Sequence, residues 1–129
     1  MPDSPEKMSK VLLIDDEEDV VEFFRQAFSH FRHVKFFSAV RARQGIEIAT
    51  TEKPEGIMMD LRMPEMGGED ALRQLKPQLP GTKFVVMTGW DADQIKERII
   101  TEIGVDAYFE KPVDLERVIT KVFELIMVR

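Results

Sequence analysis

The chain has 129 residues, a length that fits one domain, and 43% of them are hydrophobic, which is enough for a substantial core. It contains no cysteine, which excludes disulfides, thiolate metal sites and thiol nucleophiles, and its net charge of −6 argues against nucleic-acid phosphates as the main ligand. No apolar run approaches the roughly 18–20 residues of a membrane span, and no signal peptide is recognisable, so we expect a cytoplasmic protein.

Apolar runs alternate with amphipathic stretches after a charged lead-in at residues 1–9, and residues 10–129 are predicted to form a single domain. The first strand is predicted at Lys10–Ile14 and the second, which is more polar, at Val34–Ala39. A helix begins near Glu17 between them. The methionines and the phenylalanines in or just after this helix are assigned mainly to the core, the phenylalanines being Phe23, Phe24, Phe28 and Phe31. A second helix is marked by the spacing of Ala42, Ile46 and Ala49.

The second half of the chain repeats this pattern. Strands are predicted at Gly56–Met59, Lys83–Met87 and Asp106–Glu110. The helix after the third strand is ended by Pro77. The helix after the fourth strand has Asp91 and Gln94 at capping-box spacing and Gly104 at its end. Asp114 is expected to cap the fifth helix.

Strict alternation of strands and helices with short connections predicts a parallel sheet covered by helices on both faces. Strands 2 and 5 are the more polar, which suits the two edges of the sheet, whereas central parallel strands are buried on both faces. The sequence therefore predicts a doubly wound α/β fold with strand order 2-1-3-4-5 and five helices.

Reactive side chains follow four of the five strands. Asp15 and Asp16 follow strand 1, Asp60 follows strand 3, Thr88 follows strand 4 and Lys111 follows strand 5. In the predicted order these four strands are contiguous. Ligands of such sheets bind beyond the carboxyl ends of the strands, so we expect these side chains to converge on one site.

The three aspartates of this site need a countercharge. Two carboxylates about 4 Å apart repel by roughly 4 kcal/mol at an effective dielectric constant near 20. Lys111 neutralises one of them, and a divalent cation suits the rest. Hard oxygen ligands favour Mg²⁺, or Mn²⁺, over zinc.

The acidic residues also have a purely structural interpretation, as caps and first-turn charges of the following helices. We assign Glu17, Glu18 and Asp19 to this role. A cap needs only one residue, so Asp15 and Asp16 are assigned to the predicted cation site.

The residues at these positions, taken in order, resemble the receiver domain of bacterial two-component response regulators. The resemblance runs from about Val11 to Leu125. The residues that carry it are the acidic pair Asp15 and Asp16, Asp60 followed by Met63, Pro64 and Gly68, Thr88 followed by Gly89, and Tyr108 before Lys111 and Pro112.

The resemblance implies a flavodoxin-like fold and a phosphorylation-controlled switch rather than an enzyme. It implies that Asp60 accepts a phosphoryl group from a phosphohistidine of a histidine kinase or phosphotransfer protein, giving an aspartyl phosphate. Mg²⁺ would be held by Asp15, Asp16, Asp60 and the backbone carbonyl of Arg62. The module would assist its own phosphorylation and slow dephosphorylation.

The same resemblance implies roles for the residues after strands 4 and 5. Thr88, Gly89 and Lys111 would contact the phosphoryl group, and the Lys111–Pro112 bond is expected to be cis. Thr88 and Tyr108 would form the switch, which alters the surface of helix 4, strand 5 and helix 5 that binds a downstream protein. The alternative for Tyr108 is simple packing on an edge strand.

Two features depart from the family pattern. Gly67 stands where the family commonly has Asp or Asn, and Gly67 and Gly68 permit positive φ angles in that loop. Arg62 and Trp90 occupy positions that resemble tuning points for attack of water on the phosphoaspartate. Large side chains there predict a long-lived phosphorylated form; the alternative is that both belong to a partner-binding surface.

The initiating methionine and the lead-in favour a single-domain regulator, monomeric or dimerising on phosphorylation. The alternative is a receiver cut from a larger transcriptional regulator or hybrid histidine kinase. An Mg²⁺-dependent aspartyl-phosphate phosphatase of the haloacid-dehalogenase type is disfavoured, because it needs a second aspartate where Arg62 stands. We expect no direct binding to nucleic acid or membranes.

Overall fold

The computed structural model describes residues 8–63, 65–89 and 93–127. The strands are β1 Ser9–Ile14, β2 Val34–Ala39, β3 Gly56–Asp60, β4 Lys83–Thr88 and β5 Ala107–Glu110. The helices are α1 Glu18–Phe28, α2 Ala42–Glu52, α3 Gly68–Leu75, α4 Asp93–Arg98 and α5 Leu115–Met127. A 3₁₀ turn, Lys76–Gln78, follows α3, and a π-helical turn, Ile99–Ile103, continues α4.

All the strand pairs are parallel and form one sheet in the order β2-β1-β3-β4-β5, which confirms the predicted order. Successive residues of a strand point to opposite faces, and each face carries its own core. Leu12 and Ile14 pack with residues of α2, α3 and the π-helical turn, whereas Val11 and Leu13 pack with α1 and α5. The sheet is thus covered by helices on both faces, as the alternation of elements predicts.

Two of the four phenylalanines near α1 lie in the core, and the other two, which the sequence did not distinguish from them, are exposed. Phe24 and Phe28 are buried, but Phe23 is 38% exposed and Phe31 is 42% exposed. The buried stripe of α1 runs through Val21, Phe24 and Phe28, at the i, i+3 and i+7 spacing of one helix face. Phe23 is out of phase with that stripe, and Phe31 lies beyond the end of the helix.

The helix ends follow the predicted signals in part. The Asp114 carboxylate accepts the Glu116 N–H at 3.0 Å, as expected of a cap for α5. Gly104 ends the π-helical turn with φ 80°, a conformation that favours glycine. Asp91 of the predicted capping box lies outside the described residues. The Lys111–Pro112 bond is cis, as expected.

The first turn of α3 packs directly against the end of β3. A Cβ atom on Gly68 would lie 2.5 Å from the carbonyl oxygen of Asp60 and 2.6 Å from the Cα atom of Leu61. Gly68 is therefore required for close approach of the two backbones, and the positive φ in this loop (72°) falls on Glu65. Gly67, with φ −68°, has a backbone conformation that other residues also adopt.

We expect Gly68→Ala to lower the free energy of unfolding by about 1–3 kcal/mol, the usual cost of overpacking. Both atoms that the new methyl group meets belong to the backbone and cannot turn aside. Gly67→Ala is the matched control, because a Cβ atom there has no other atom within 4 Å. Urea denaturation of the three proteins tests this expectation, and equal losses in the two variants would contradict it.

Candidate functional site

The predicted site residues lie at the carboxyl end of the sheet. Asp60 and Thr88 are the last residues of β3 and β4, Asp15 follows β1, and Lys111 follows β5. Asp60 pairs with Met87, and Thr88 pairs with Glu110, so the ends of these strands are level. The sheet therefore brings residues from four adjacent strands to one edge.

Lys111 joins the acidic side chains of this edge. Its ammonium nitrogen, Nζ, lies 3.0 Å from Oδ2 of Asp60 and 3.1 Å from Oδ2 of Asp15. A third contact of 2.6 Å reaches Oε1 of Glu17. The lysine thus directs its charge to three carboxylates that come from different positions in the chain.

Backbone N–H groups hold the other oxygen of the two buried carboxylates. Oδ1 of Asp15 accepts the N–H of Glu17 at 2.9 Å, and Oδ1 of Asp60 accepts the N–H of Arg62 at 2.9 Å. Each aspartate is therefore oriented by the residue two positions later, in the manner of an Asx turn. One oxygen of each carboxylate faces its own loop, and the other faces Lys111.

Burial dominates the electrostatics at Asp15. Its side chain is fully buried, and this burial raises the pKa of the Asp15 carboxyl above its ordinary value even though Glu17 N–H and Lys111 favour the anion. Burial lowers the pKa of Lys111, but hydrogen bonding to Glu17 and the charges of Asp15 and Asp60 outweigh it and raise that pKa overall. Lys111 is therefore cationic throughout the neutral pH range.

Three carboxylates are arranged so that they are able to hold a cation. Asp15, Asp16 and Asp60 each present an oxygen atom, and these atoms all lie within 4.8 Å of one another. Asp15 and Asp60 are buried, whereas Asp16 is exposed at the rim. One lysine does not neutralise three clustered carboxylates, so a hard divalent cation fits this donor set.

The residues expected around a phosphoryl group border the same edge. Thr88 is fully buried, and its carbonyl oxygen accepts the Lys111 N–H at 2.8 Å, which ties the ends of β4 and β5 together. A Cβ atom on Gly89 would lie 4.0 Å from Cβ of Lys111, so the glycine lies beside the lysine. Thr88, Gly89 and Lys111 are therefore neighbours.

Tyr108 is half-buried on the edge strand β5 and packs against the core on the α2, α3 and π-turn side of the sheet. The ammonium of Lys96, in α4, lies 5.6 Å from the centre of its ring and 3.5 Å from Glu110. Burial, with the charge of Glu110, raises the pKa of the Tyr108 hydroxyl. Tyr108 thus contacts α4, the helix on which its expected switch role depends.

Arg62 and Trp90 are the two residues expected to tune the lifetime of the phosphorylated form. The Arg62 side chain is exposed, while its backbone N–H binds Asp60. Trp90 lies outside the described residues, as does Pro64 of the expected Met63-Pro64 pair.

The sequence assigns Glu17 to the start of α1, where it does lie, but the contact of its side chain with the candidate site is not predicted. Glu17 is the N-cap residue of α1, but its side chain makes no capping hydrogen bond there and contacts Lys111. The partners are 94 residues apart, so local spacing carries no signal for the contact. The one sequence feature that indicates a role for Glu17 in the site is its position directly after Asp15 and Asp16.

A family model described as the response regulator receiver domain matches residues 11–123. The chain belongs to this family. Receiver domains are signalling modules that interact with histidine kinases or phosphotransfer proteins. The sequence-based assignment to this family and to its fold is therefore confirmed.

Among relatives, the receiver chain is similar to sporulation initiation phosphotransferase F of Bacillus subtilis, with 26% identity over 110 residues that cover 84% of this chain and 86% of that protein. It is also similar to response regulator MprA of Mycolicibacterium vanbaalenii, with 26% identity over 91% of this chain. The match spans 50% of MprA, so this chain corresponds to about half of that longer relative.

Solved structures share the fold. A CheY-like receiver domain protein from Methanospirillum hungatei superposes with a TM-score of 0.83 at 22% identity, over 94% of this chain and 95% of that one. Within residues 8–63, 65–89 and 93–127 of the receiver, no helix combines the length and the apolar character that crossing a membrane requires.

We expect Lys111→Met to lower the free energy of unfolding by roughly 3 kcal/mol in the absence of divalent cations, because it leaves the carboxylates of Asp15 and Asp60 without their shared countercharge. Added Mg²⁺ should restore part of this loss.

Lys121→Met is the matched control for charge and side-chain length. Among the residues that the structure describes, Lys121 pairs with Glu124, at 3.2 Å and partly exposed, and such pairs contribute at most about 1 kcal/mol. Urea denaturation with and without Mg²⁺ measures both effects. A loss no larger at Lys111 than at Lys121 would show that the cluster does not depend on the lysine.

Proposed function

We propose that this receiver domain accepts a phosphoryl group on Asp60 and uses the change in charge to alter a partner-binding surface. The observation that supports the proposal best is the joint position of Asp60, Asp15 and Lys111 at the ends of adjacent strands, with Lys111 Nζ 3.0 Å from the Asp60 carboxylate. The chain is then a phosphoacceptor switch rather than an enzyme with a separate substrate.

The transfer starts from the phosphohistidine of a histidine kinase or phosphotransfer protein. A carboxylate oxygen of Asp60 attacks the phosphorus atom, a P–O bond forms, and the P–N bond to the histidine breaks. The electron pair of that bond passes to the imidazole nitrogen, which can then take up a proton from solvent. The Arg62 N–H keeps the Asp60 carboxylate in a fixed orientation for this attack.

Two cations would balance the charge on the transferring group. Lys111 supplies one from the protein. Mg²⁺ or Mn²⁺, held by Asp15, Asp16, Asp60 and the Arg62 carbonyl, would neutralise further charge on the phosphoryl oxygens. Thr88 would donate its hydroxyl to a phosphoryl oxygen, and the small Gly89 would leave room beside Lys111.

The switch would pass from Thr88 to Tyr108 and then to α4. Movement of Thr88 toward the phosphoryl group would let Tyr108 turn inward. Lys96 contacts both the Tyr108 ring and Glu110, so a shift of the ring disturbs the contact between α4 and β5. The surface formed by α4, β5 and α5 would then adopt a conformation that binds the partner with a different affinity.

A second set of contacts holds α4 in its present position. Glu69, in α3, receives two hydrogen bonds of 2.8 Å from the Arg98 guanidinium and a further pair from Arg73. Hydrogen bonding to Arg98, and then to Arg73, lowers the pKa of Glu69 to about 2 despite partial burial. Glu69 follows Gly68, which packs on the Asp60 backbone, so these contacts connect the acceptor loop to α4.

The cellular role extends this proposal. We place the domain in the cytoplasm, where it acts on a downstream protein without binding nucleic acid or membrane directly, as a monomer or a dimer that forms on phosphorylation. Residues 10–129 would form the one folded domain. The same site would serve a receiver within a longer transcriptional regulator or hybrid kinase.

We expect the wild-type protein to incorporate phosphate from acetyl phosphate only when Mg²⁺ is present, and Asp60→Asn to incorporate less than about 1% of that amount, because the amide is not a nucleophile. Incorporation is measured with radiolabelled donor. Asp70→Asn, at an exposed acidic residue of α3, is the control that should retain uptake. Equal labelling of Asp60→Asn and wild type would exclude Asp60 as the acceptor.

We also propose that Arg62 and Trp90 slow attack of water on the phosphoaspartate. Arg62→Ala and Trp90→Ala should then each speed loss of phosphate, roughly two- to tenfold, because a smaller side chain admits water. The decay of purified phosphoprotein is followed after the donor is removed. Unchanged rates in both variants would end the shielding proposal and favour a partner-binding role for the two residues.

A further inference from the structure

Glu17 and Lys111 form the shortest of the three contacts at the ammonium group. The distance to Glu17 is 2.6 Å, against 3.1 Å to Asp15 and 3.0 Å to Asp60. The Glu17 side chain is 58% exposed, whereas those of Asp15 and Asp60 are 0% and 6% exposed. Glu17 therefore contacts the ammonium from the solvent side.

The number of donors on the ammonium makes these contacts competitive. A lysine ammonium has three N–H donors, and the three carboxylates occupy them. A phosphoryl group on Asp60 needs one of these donors. Asp15 and Asp60 are held by backbone hydrogen bonds and by burial, so they have little freedom to leave.

Glu17 is the carboxylate that can lose its contact with Lys111 most easily. Its exposed carboxylate exchanges Lys111 for water at small cost, because exposed ion pairs are weak. It also makes no side-chain capping bond to α1 that would have to break.

We propose that Glu17 is a positioning residue that holds Lys111 in the unphosphorylated receiver and competes with the phosphoryl group for it. The proposal rests on the proposed function of Asp60. Glu17 would thereby slow phosphorylation and favour the resting state, which makes it a determinant of how readily the site accepts a phosphoryl group.

A general effect of charge must be separated from this specific contact, because Glu17 also repels anionic phosphodonors. Glu18→Gln removes the same charge from the next residue, an exposed glutamate at the start of α1 that makes no contact with Lys111 among the described residues. Glu17→Asp keeps the charge but shortens the side chain by one methylene group, which withdraws the carboxylate from Lys111.

The first measurement is the rate of phosphate uptake from acetyl phosphate in saturating Mg²⁺. We expect Glu17→Gln and Glu17→Asp to accelerate uptake roughly two- to fivefold, the rate equivalent of one exposed ion pair. Glu18→Gln should change it by less than about 1.5-fold. Acceleration in Glu17→Gln with a wild-type rate in Glu17→Asp would overturn the proposal, since charge alone would explain it, and unchanged rates in both variants would overturn it too.

The second measurement needs neither metal nor phosphate. The ¹⁵N resonance of the Lys111 ammonium is recorded in the metal-free protein, where a held ammonium exchanges slowly with water. The signal should broaden or shift in both Glu17 variants and stay unchanged in Glu18→Gln. An unaltered Lys111 signal in the Glu17 variants would refute the proposal.

The two measurements distinguish failure of this inference from failure of the proposed function. If the wild type takes up no phosphate, the proposed function of Asp60 fails, and the ammonium resonance still decides whether Glu17 holds Lys111. If the wild type takes up phosphate, Asp60→Asn does not, and the Glu17 variants match the wild type, the acceptor role of Asp60 stands and Glu17 does not limit phosphorylation.

Discussion

The contact between the Lys111 ammonium and the carboxylates of Asp15 and Asp60 is the interaction on which the rest of this receiver depends. Two buried acids at one edge of a sheet repel each other, and burial strengthens that repulsion because little water screens it. Lys111 offsets the repulsion because β5 ends level with β4. From the end of β5 the lysine side chain reaches across β4 to Asp60 at the end of β3 and Asp15 after β1. The parallel order of the strands is therefore a requirement of the electrostatics as well as of the packing.

The site is retained at a cost to folding. Burial raises the pKa of Asp15, which means that its anion is less stable in the folded chain than in water. The two apolar cores on either face of the sheet supply the stability that offsets this cost, since the residues of the central strands are buried on both faces. A cluster with unbalanced negative charge is also one that gains from a cation, so the carboxylates that weaken the fold suit a hard divalent cation at this edge of the sheet.

Two sets of contacts reach α4. One joins the Lys96 ammonium to the ring of Tyr108 in β5, and the other leads from the Asp60 backbone through Gly68 to Glu69 and Arg98. Both end on the same short helix, which continues as a π-helical turn. A short helix makes fewer contacts than a long buried one, so its local rearrangement costs less free energy. For this reason α4 is the element that the proposed switch would move.

The sequence by itself determined the fold and most of the site. The pattern of apolar residues located the strand Val34–Ala39 at its observed bounds. The polarity of strands 2 and 5 indicated the edges of the sheet, because the extent to which a strand is buried determines its residue composition. Parallel strands share one carboxyl edge, so residues that follow them converge wherever the loops run. The tertiary structure alone decided three features that have no signal in the local sequence. They are the contact of Glu17 with Lys111, the exposure of Phe23 and Phe31, and the hydrogen bonds between Glu69 and Arg98. Each depends on which side chains from distant parts of the chain come within about 3 Å, a distance set by packing and not by spacing along the sequence.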